Sequence, residues 1–480
     1  MQATTATQFA FHPVLDAALS QTSPRGSNFP LLKPEAAQNT TVFRPVQYLG
    51  SKLRSLDAIL SLRQRLFVHP VTVLDPFVGS TVVAQAFSLQ GDTVICSDAL
   101  SFCNHMATAV LGVGLAGADG TAELAKSLIH YNQNQGLELF KHWVDLEDSA
   151  LKARDSRSLI DLSLRLPQIW RAQDATPRMR RHFQHLSSSP FHSVTSAAAI
   201  IPSFYAGTYF GIRQAIELDT IWHAIFSERE SGHLTPWQFS ALLAALCAAS
   251  SACVFSAGKH FAQPYLSKPS KTTPFAHKRI LDDRAVSVKN VFQSTVEQIV
   301  SVAQAHHRNH RVLWSPLESL RSTLGSHDRV DLIYADPPYT AQQYSRFYHI
   351  LETLARGQIP DIQATKGSPT TGIYPTNRHK SPFCSKTAAP SAFADLLSTA
   401  IHLQSSVLLS YSFSGHRTGN DRMVTLDDIL NLPQVKSAFT TTIHEFGHEF
   451  RNFNSTEIEG ASDKEFLIFL KLHASKIPRQ

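Results

Sequence analysis

Two short stretches of the chain carry residue types at spacings that could do chemistry. The first, HEFGHEF at 444–450, contains the pattern H-E-x-x-H. On a helix that spacing sets two histidines on one face to hold zinc, with the glutamate as general base. The second, DLIYADPPYT at 331–340, runs an apolar segment into Asp336, Pro337, Pro338 and Tyr339. Apolar residues through Ala335 form a buried strand, and residues just past the carboxyl end of such a strand face the ligand crevice of an open parallel sheet. Prolines stiffen the loop and bring no N–H to compete for neighbouring carbonyls. A carboxylate, a free carbonyl and an aromatic ring in one rigid cluster suit a planar base bearing an exocyclic amine. Two oxygens accept its N–H groups while the ring stacks on the base.

The flanks decide the first stretch. SAFTTTI and EFRNFNS are rich in β-branched and aromatic residues, and His444, Phe446, His448 and Phe450 alternate with period two. Read as a strand, the two histidines share a face but lie about 13 Å apart, too far to share one zinc. The longer pattern H-E-x-x-H-x-x-G-x-x-H fails at Arg451 and Asn454. A zinc peptidase would need a distant third ligand such as Glu465; the expectation is a late sheet strand and no metal.

The second stretch has company. VLDPFVGS at 73–80 is a strand entering a turn at Asp75, Pro76, Phe77, Val78 and Gly79, where a glycine permits close approach to the backbone. Asp98 ends the next strand, VICSDA, where an acidic side chain can accept hydrogen bonds from ribose hydroxyls. Upstream, QYLGSK at 47–52 combines Tyr48, Gly50 and Lys52.

These residues need a frame to hold them together. VTVLD, the helical TVVAQAFSLQG closing at Gly91, and DTVICS form a β-α-β unit, hence a parallel sheet. Strand and helix alternate again after about 311, through RVLW, DLIYA, a helix over about 343–355, SVLLSYSF, and the late pair SAFTTTIHEFGHEF and EFLIFLKL. Between these flanks the pattern is mainly helical and basic, closing with an amphipathic helix over about 286–307. The aromatic and aliphatic stripe Tyr344, Phe347, Tyr348, Leu351 and Leu354 has helical spacing and reads as core packing. The expected organisation is an N-terminal extension (1–42), a first α/β part (43–125), a mainly helical insert (126–310) and a second α/β part (311–480).

Bulk composition narrows the class. Hydrophobic residues make up 43% and charged residues 17%, which fits a globular chain and excludes a disordered one. The net charge of +6 leans toward an anionic partner, most simply nucleic acid. Five cysteines without a C-x-x-C pair point to reduced thiols in a cytoplasm and away from a disulfide scaffold. The N-terminus has no basic start followed by an apolar block, so no signal peptide is expected. The apolar run FSALLAALCAASSACVFSAG reads as a buried helix.

Taken in order, YLGSK, DPFVGS, Asp98 and DPPYTAQQYSRFYHILETLA resemble the class alpha DNA N6-adenine methyltransferases that use S-adenosylmethionine (AdoMet). There the cofactor motif comes first, a target-recognition domain follows, and D-P-P-Y comes last. The resemblance implies a Rossmann-like methyltransferase sheet with a mainly helical inserted recognition domain. It implies Asp336, Pro337, Pro338 and Tyr339 as catalytic residues, and Tyr48, Gly50, Lys52, Asp75, Phe77, Gly79 and Asp98 as cofactor-binding residues. One departure stands out: Thr81 occupies the position of the family's second glycine in F-x-G-x-G. Near RVLWSPLESL, where the family often places a residue against the cofactor's adenine, Ser315 and Glu318 are both available. The partners implied are duplex DNA and a cognate restriction endonuclease. The basic insert supplies phosphate contacts, with Lys268, Lys271, Lys278 and Arg279 as the candidates. Cytosine-N4 methylation, and a non-catalytic nucleic-acid-binding protein on the same fold, are the remaining readings.

Overall fold

The structure is a computed structural model that describes residues 42–473 apart from 117, 132–133, 267–273, 307–308, 326–327, 366–367, 413–421 and 451–462. Short apolar runs ending in turns become the strands β1 (Thr72–Asp75), β2 (Thr93–Ser97), β3 (Arg311–Leu313) and β4 (Leu332–Ala335). A two-residue ribbon follows, β5 (Ala364–Thr365) and β6 (Ser368–Pro369), and then β7 (Ser406–Ser412), β8 (Phe439–Phe450) and β9 (Asp463–Leu472). The main sheet has the order β3-β2-β1-β4-β7-β9-β8. The first five of these run parallel, and β9 lies antiparallel to both β7 and β8. The H-E-F-G-H stretch is therefore strand, as its period-two pattern suggested, with His444 paired to Leu467 on β9.

Alternation along the strands divides the interior. Val73, Val94, Leu332, Tyr334 and Leu408 join one buried cluster. Their neighbours Leu74, Ile95, Ile333, Ala335 and Val407 join the other, under the helix Ala389–His402. The helical segment between β2 and β3 is continuous with the first of these clusters. Two buried indoles tie it there: Trp237 Nε1 donates to the Ala109 carbonyl (3.1 Å) and Trp222 Nε1 to the Leu354 carbonyl (2.8 Å). The helix Pro236–Cys253 begins in a capping box, with Thr235 Oγ1 accepting from the Gln238 N–H while Gln238 Oε1 accepts from the Thr235 N–H, and with Pro236 in its first turn. It is long and apolar enough to cross a membrane, yet 78% of it is buried inside the protein, so it is a core helix.

Helix limits differ from the sequence expectation at one informative place. The helix expected over 343–355 is two, Tyr344–Phe347 and His349–Arg356, because Tyr348 between them leaves helical geometry (φ −124°, ψ 20°). The hydroxyl of Tyr348 accepts the Leu49 N–H, and its ring stacks on Tyr48 with centroids 4.7 Å apart. A tertiary contact has overridden local helical propensity.

The helix Leu56–Leu66 is locked to the sheet by a buried ion pair. Arg63 Nε donates to Asp92 Oδ2 (2.8 Å), and its NH2 group donates both to Asp92 Oδ1 and to the His69 carbonyl. Asp92 Oδ1 also accepts the Val71 N–H (2.9 Å), so one carboxylate sets the start of β1. Asp92→Ala leaves the guanidinium buried without its counter-charge and is expected to cost about 3–5 kcal/mol. Urea unfolding reads this as a lowered midpoint; a midpoint matching wild type would show the pair to be dispensable.

Candidate active site

Strand order reverses at β1: β2 and β3 lie on one side of it, β4 and β7 on the other. A crevice opens at such a switch point, outside the carboxyl ends of the strands. Here it is a cleft whose empty space, open to solvent, is about 740 Å³. Pro76 and Phe77 from the end of β1, Asp98 from the end of β2, and Asp336 and Pro338 from the end of β4 all line it. The segment before the helix Leu56–Leu66 adds Tyr48, Leu49 and Gly50.

Asp336 is bound from across the cleft. Its Oδ1 lies 3.1 Å from Lys52 Nζ, and the two side chains are only 20% and 6% exposed. Lys52 thus joins the first motif to the loop that follows β4. Pro337 is buried, while Pro338 reaches the cleft wall. Tyr339 is half-buried beside the cleft rather than on its wall. Its ring meets Tyr411 edge-on (5.7 Å), carries the Arg422 guanidinium 4.5 Å from its centroid, and has Lys52 Nζ 5.9 Å away. Arg422 is itself held by Ser412, through its Nε to the carbonyl (3.1 Å) and its NH2 group to Oγ (2.6 Å).

Asp98 uses part of its carboxylate to shape the turn: Oδ2 accepts the Gly79 N–H (3.0 Å) and Oδ1 the Leu100 N–H (2.9 Å). Burial pushes its pKa up to about 6 against the lowering effect of these two bonds. Asp75 does not reach the cleft wall. It is buried behind the turn, with Oδ1 accepting the Phe77 N–H (3.1 Å), and burial raises its pKa, helped by the nearby charges of Asp336 and Asp98.

Two glycines have a definite steric reason. Gly79 has φ +45°, and a Cβ there would meet the Tyr48 ring at 3.0 Å. Gly50 has φ +75°, and a Cβ there would meet the Tyr344 hydroxyl at 2.7 Å. The group pressing on Gly79 is therefore Tyr48, whose ring clusters with those of Tyr344 (5.6 Å) and Tyr348 (4.7 Å). Thr81 also has a left-handed backbone (φ +65°) and is fully buried. Its Oγ1 accepts from Gln85 Nε2 (2.8 Å), and Gln85 clamps the distant Phe43 through its backbone N–H (2.9 Å) and carbonyl (2.8 Å). The threonine standing at the second glycine position thus turns toward the segment that carries Tyr48, not into the cleft.

Several cleft residues escaped the sequence reading. Tyr344, assigned to core packing by its helical spacing, lines the cleft as well as packing on Tyr48. Gln343, Ser345, His379, Ser381 and Phe383 complete that wall. They are fastened by Gln343 Oε1 accepting the Ser381 N–H (2.8 Å) and by Ser345 Oγ donating to the His379 carbonyl (2.6 Å). No pattern in 379–383 marks those residues in advance. Of the two candidates near RVLWSPLESL, Glu318 lines the cleft, whereas the Ser315 carbonyl accepts from Ser97 Oγ. Among the basic candidates, Lys268 and Lys271 lie outside the described residues, Lys278 is exposed on the helix Pro274–Arg284, and Arg279 is paired with Asp283 (2.8 Å).

Comparison with known proteins bears on this arrangement. Residues 288–403 match the sequence profile of the family described as D12 class N6 adenine-specific DNA methyltransferase, a span that includes β3, β4 and the loop after β4. The chain is 31% identical over 153 residues to Modification methylase LlaI of Lactococcus lactis subsp. lactis, covering 31% of this chain and 22% of that protein. It is 29% identical over 139 residues to Type II methyltransferase M.FokI of Planomicrobium okeanokoites, covering 29% and 19%. A third relative, Type II methyltransferase M.NlaIII of Neisseria lactamica, is 29% identical over 149 residues, covering 30% and 37%. The chain thus spans about a fifth of the length of the first two relatives. The likeness to the D12 class N6 adenine-specific DNA methyltransferases thus lies in residues 288–403, about a quarter of the chain.

Proposed function

We propose that the protein is a site-specific DNA methyltransferase that moves a methyl group from AdoMet to N6 of an adenine turned out of duplex DNA. The observation that carries this reading is the convergence of Asp98 and Asp336 on one cleft at the switch point, with Lys52 bound to Asp336. The cleft fits AdoMet in kind: it offers the Asp98 carboxylate for hydroxyl donors, the exposed Glu318 on the same wall, and aromatic and proline surfaces for an adenine ring. Tyr48, Gly50, Lys52, Phe77, Gly79, Asp75 and Asp98 are the residues that would hold it or shape its turn. Bound there, AdoMet supplies an electrophilic methyl on its sulfonium.

The chain's own residues do the positioning. Lys52 holds Oδ1 of Asp336; in this reading the Asp336 carboxylate accepts one N6–H and the Pro337 carbonyl accepts the other. Both bonds keep the amine in place with its lone pair facing the methyl. Once N6 had accepted the methyl that AdoMet would supply, leaving the donor as its thioether, the Asp336 carboxylate would take the surplus proton from N6. Tyr339 offers a ring for the base to stack on, steadied by Arg422 and Tyr411. Holding reactants in line supplies most of the rate. Within this reading the segment 126–310 recognises the target, with Lys268, Lys271, Lys278 and Arg279 as phosphate contacts. The names of the relatives, a modification methylase and type II methyltransferases, support a role in DNA modification; a cytoplasmic setting and a cognate endonuclease are part of the proposal.

The test is transfer of labelled methyl from AdoMet to mixed genomic DNA, followed by nucleoside analysis. Label is expected in N6-methyladenine, and Asp336→Ala is expected to lower the rate at least about a thousandfold. Label in N4-methylcytosine would overturn the base assignment, and absence of transfer by wild type would overturn the activity. The raised pKa of Asp98 gives a second test. Its protonated fraction grows as pH falls through about 6, which removes acceptor capacity for hydroxyl donors. AdoMet affinity should therefore fall below that pH, approaching about tenfold per unit. Asp98→Asn should bind more weakly and show no such dependence; a wild-type affinity that is flat across that range would remove Asp98 from the site.

A further inference from the structure

The wall that the sequence reading missed carries an unusual pair of charges. Arg346 and Arg378 both sit over the ring of Tyr374, their guanidinium carbons 6.0 and 5.2 Å from its centroid. Like charges on one ring repel, and neither arginine has an ion-pair partner among the described residues. The Nε of Arg378 has no hydrogen-bond acceptor there either. Arg356 nearby differs, because Glu352 matches it at 2.8 Å. Burial, and then the Arg346 charge, hold the Arg378 guanidinium below its ordinary pKa, so an anion arriving there would relieve a real electrostatic cost.

Position gives the pair its meaning. Each arginine follows or precedes a cleft-wall residue by one place, Arg346 after Ser345 and Arg378 before His379. Those two wall residues are hydrogen-bonded to each other. They also line a second groove of about 410 Å³, walled by Arg356, Asn377 and Arg378, which continues from the cleft. A strand whose nucleotide enters the cleft would leave its backbone along this groove.

We propose that Arg346 and Arg378, held on Tyr374 at the rim of the cleft, clamp a phosphodiester of the DNA strand beside the nucleotide that enters it. This rests on the DNA-methyltransferase reading above. Guanidinium forks match phosphate oxygens two at a time, and the aromatic ring fixes their planes in advance. Arg279, by contrast, already has a carboxylate partner in Asp283, which it shares with Lys259.

The experiment compares wild type, Arg346→Gln, Arg378→Gln, the double variant and the Arg→Lys forms. AdoMet binding is measured first, as the check that each variant is folded. The dependence of DNA binding and of KM for DNA on salt is then measured with fragmented genomic DNA. Each Arg→Gln change is expected to flatten the slope of log affinity against log salt by about 1, and the double variant by about 2. The loss should fall on KM for DNA, and the Arg→Lys forms, which keep the charge, should keep the slope. Salt slopes equal to wild type in the Gln variants, with wild type methylating DNA, would overturn the clamp alone. A wild type that binds AdoMet but neither binds nor methylates DNA would overturn the underlying reading, and the clamp with it.

Discussion

The ion pair between Lys52 and Asp336 is the constraint on which the rest of the site depends. Lys52 belongs to the segment that precedes the first sheet helix, and Asp336 to the loop that ends β4. Both side chains are largely shielded from water, so losing one partner would remove a buried charge pair beside the cleft. Keeping it requires the Tyr48–Lys52 segment to lie across the ends of β1 and β4. Much of the surrounding packing serves that requirement. Tyr48 packs against both Tyr344 and Tyr348, Gly79 leaves room for its ring, and Leu49 donates to Tyr348.

Thr81 belongs to the same requirement. A left-handed backbone at a β-branched residue costs roughly 1–2 kcal/mol relative to glycine. Here the threonine hydroxyl accepts from Gln85, and Gln85 grips Phe43 by both of its backbone polar groups. A residue that in isolation looks like a defect in a cofactor turn is the start of a hydrogen-bonded chain that anchors the segment carrying Tyr48. Strain at the turn is offset by order in the strap.

The frame was legible in the sequence and the walls were not. Buried strands such as VTVLD and DLIYA are short apolar runs ending in Asp-Pro turns, and each signals both its existence and its exit. HEFGHEF could be assigned to strand because its period is two, whatever its match to a zinc pattern. Tyr344, in contrast, shares its helical spacing with true core residues, and only the broken helix at Tyr348 separates their roles. Ser345 and His379 meet through a tertiary hydrogen bond, and no local pattern announces a contact between distant segments. The basic residues chosen from charge clustering illustrate the same limit. Arg279 is ion-paired with Asp283, whereas Arg346 and Arg378, distant in the sequence, share one ring in space.

The central claim, that the first motif and the catalytic loop work as one unit through Lys52 and Asp336, is tested most directly by a double-mutant cycle. kcat/KM for methyl transfer would be measured for wild type, Lys52→Met, Asp336→Asn and the double variant. If the pair acts as a unit, the two losses are far from additive: the double variant is no slower than Asp336→Asn alone, and the coupling exceeds about 1 kcal/mol. Losses that add to within about 0.5 kcal/mol would contradict the account, because they would mean that Lys52 serves the reaction without acting through Asp336.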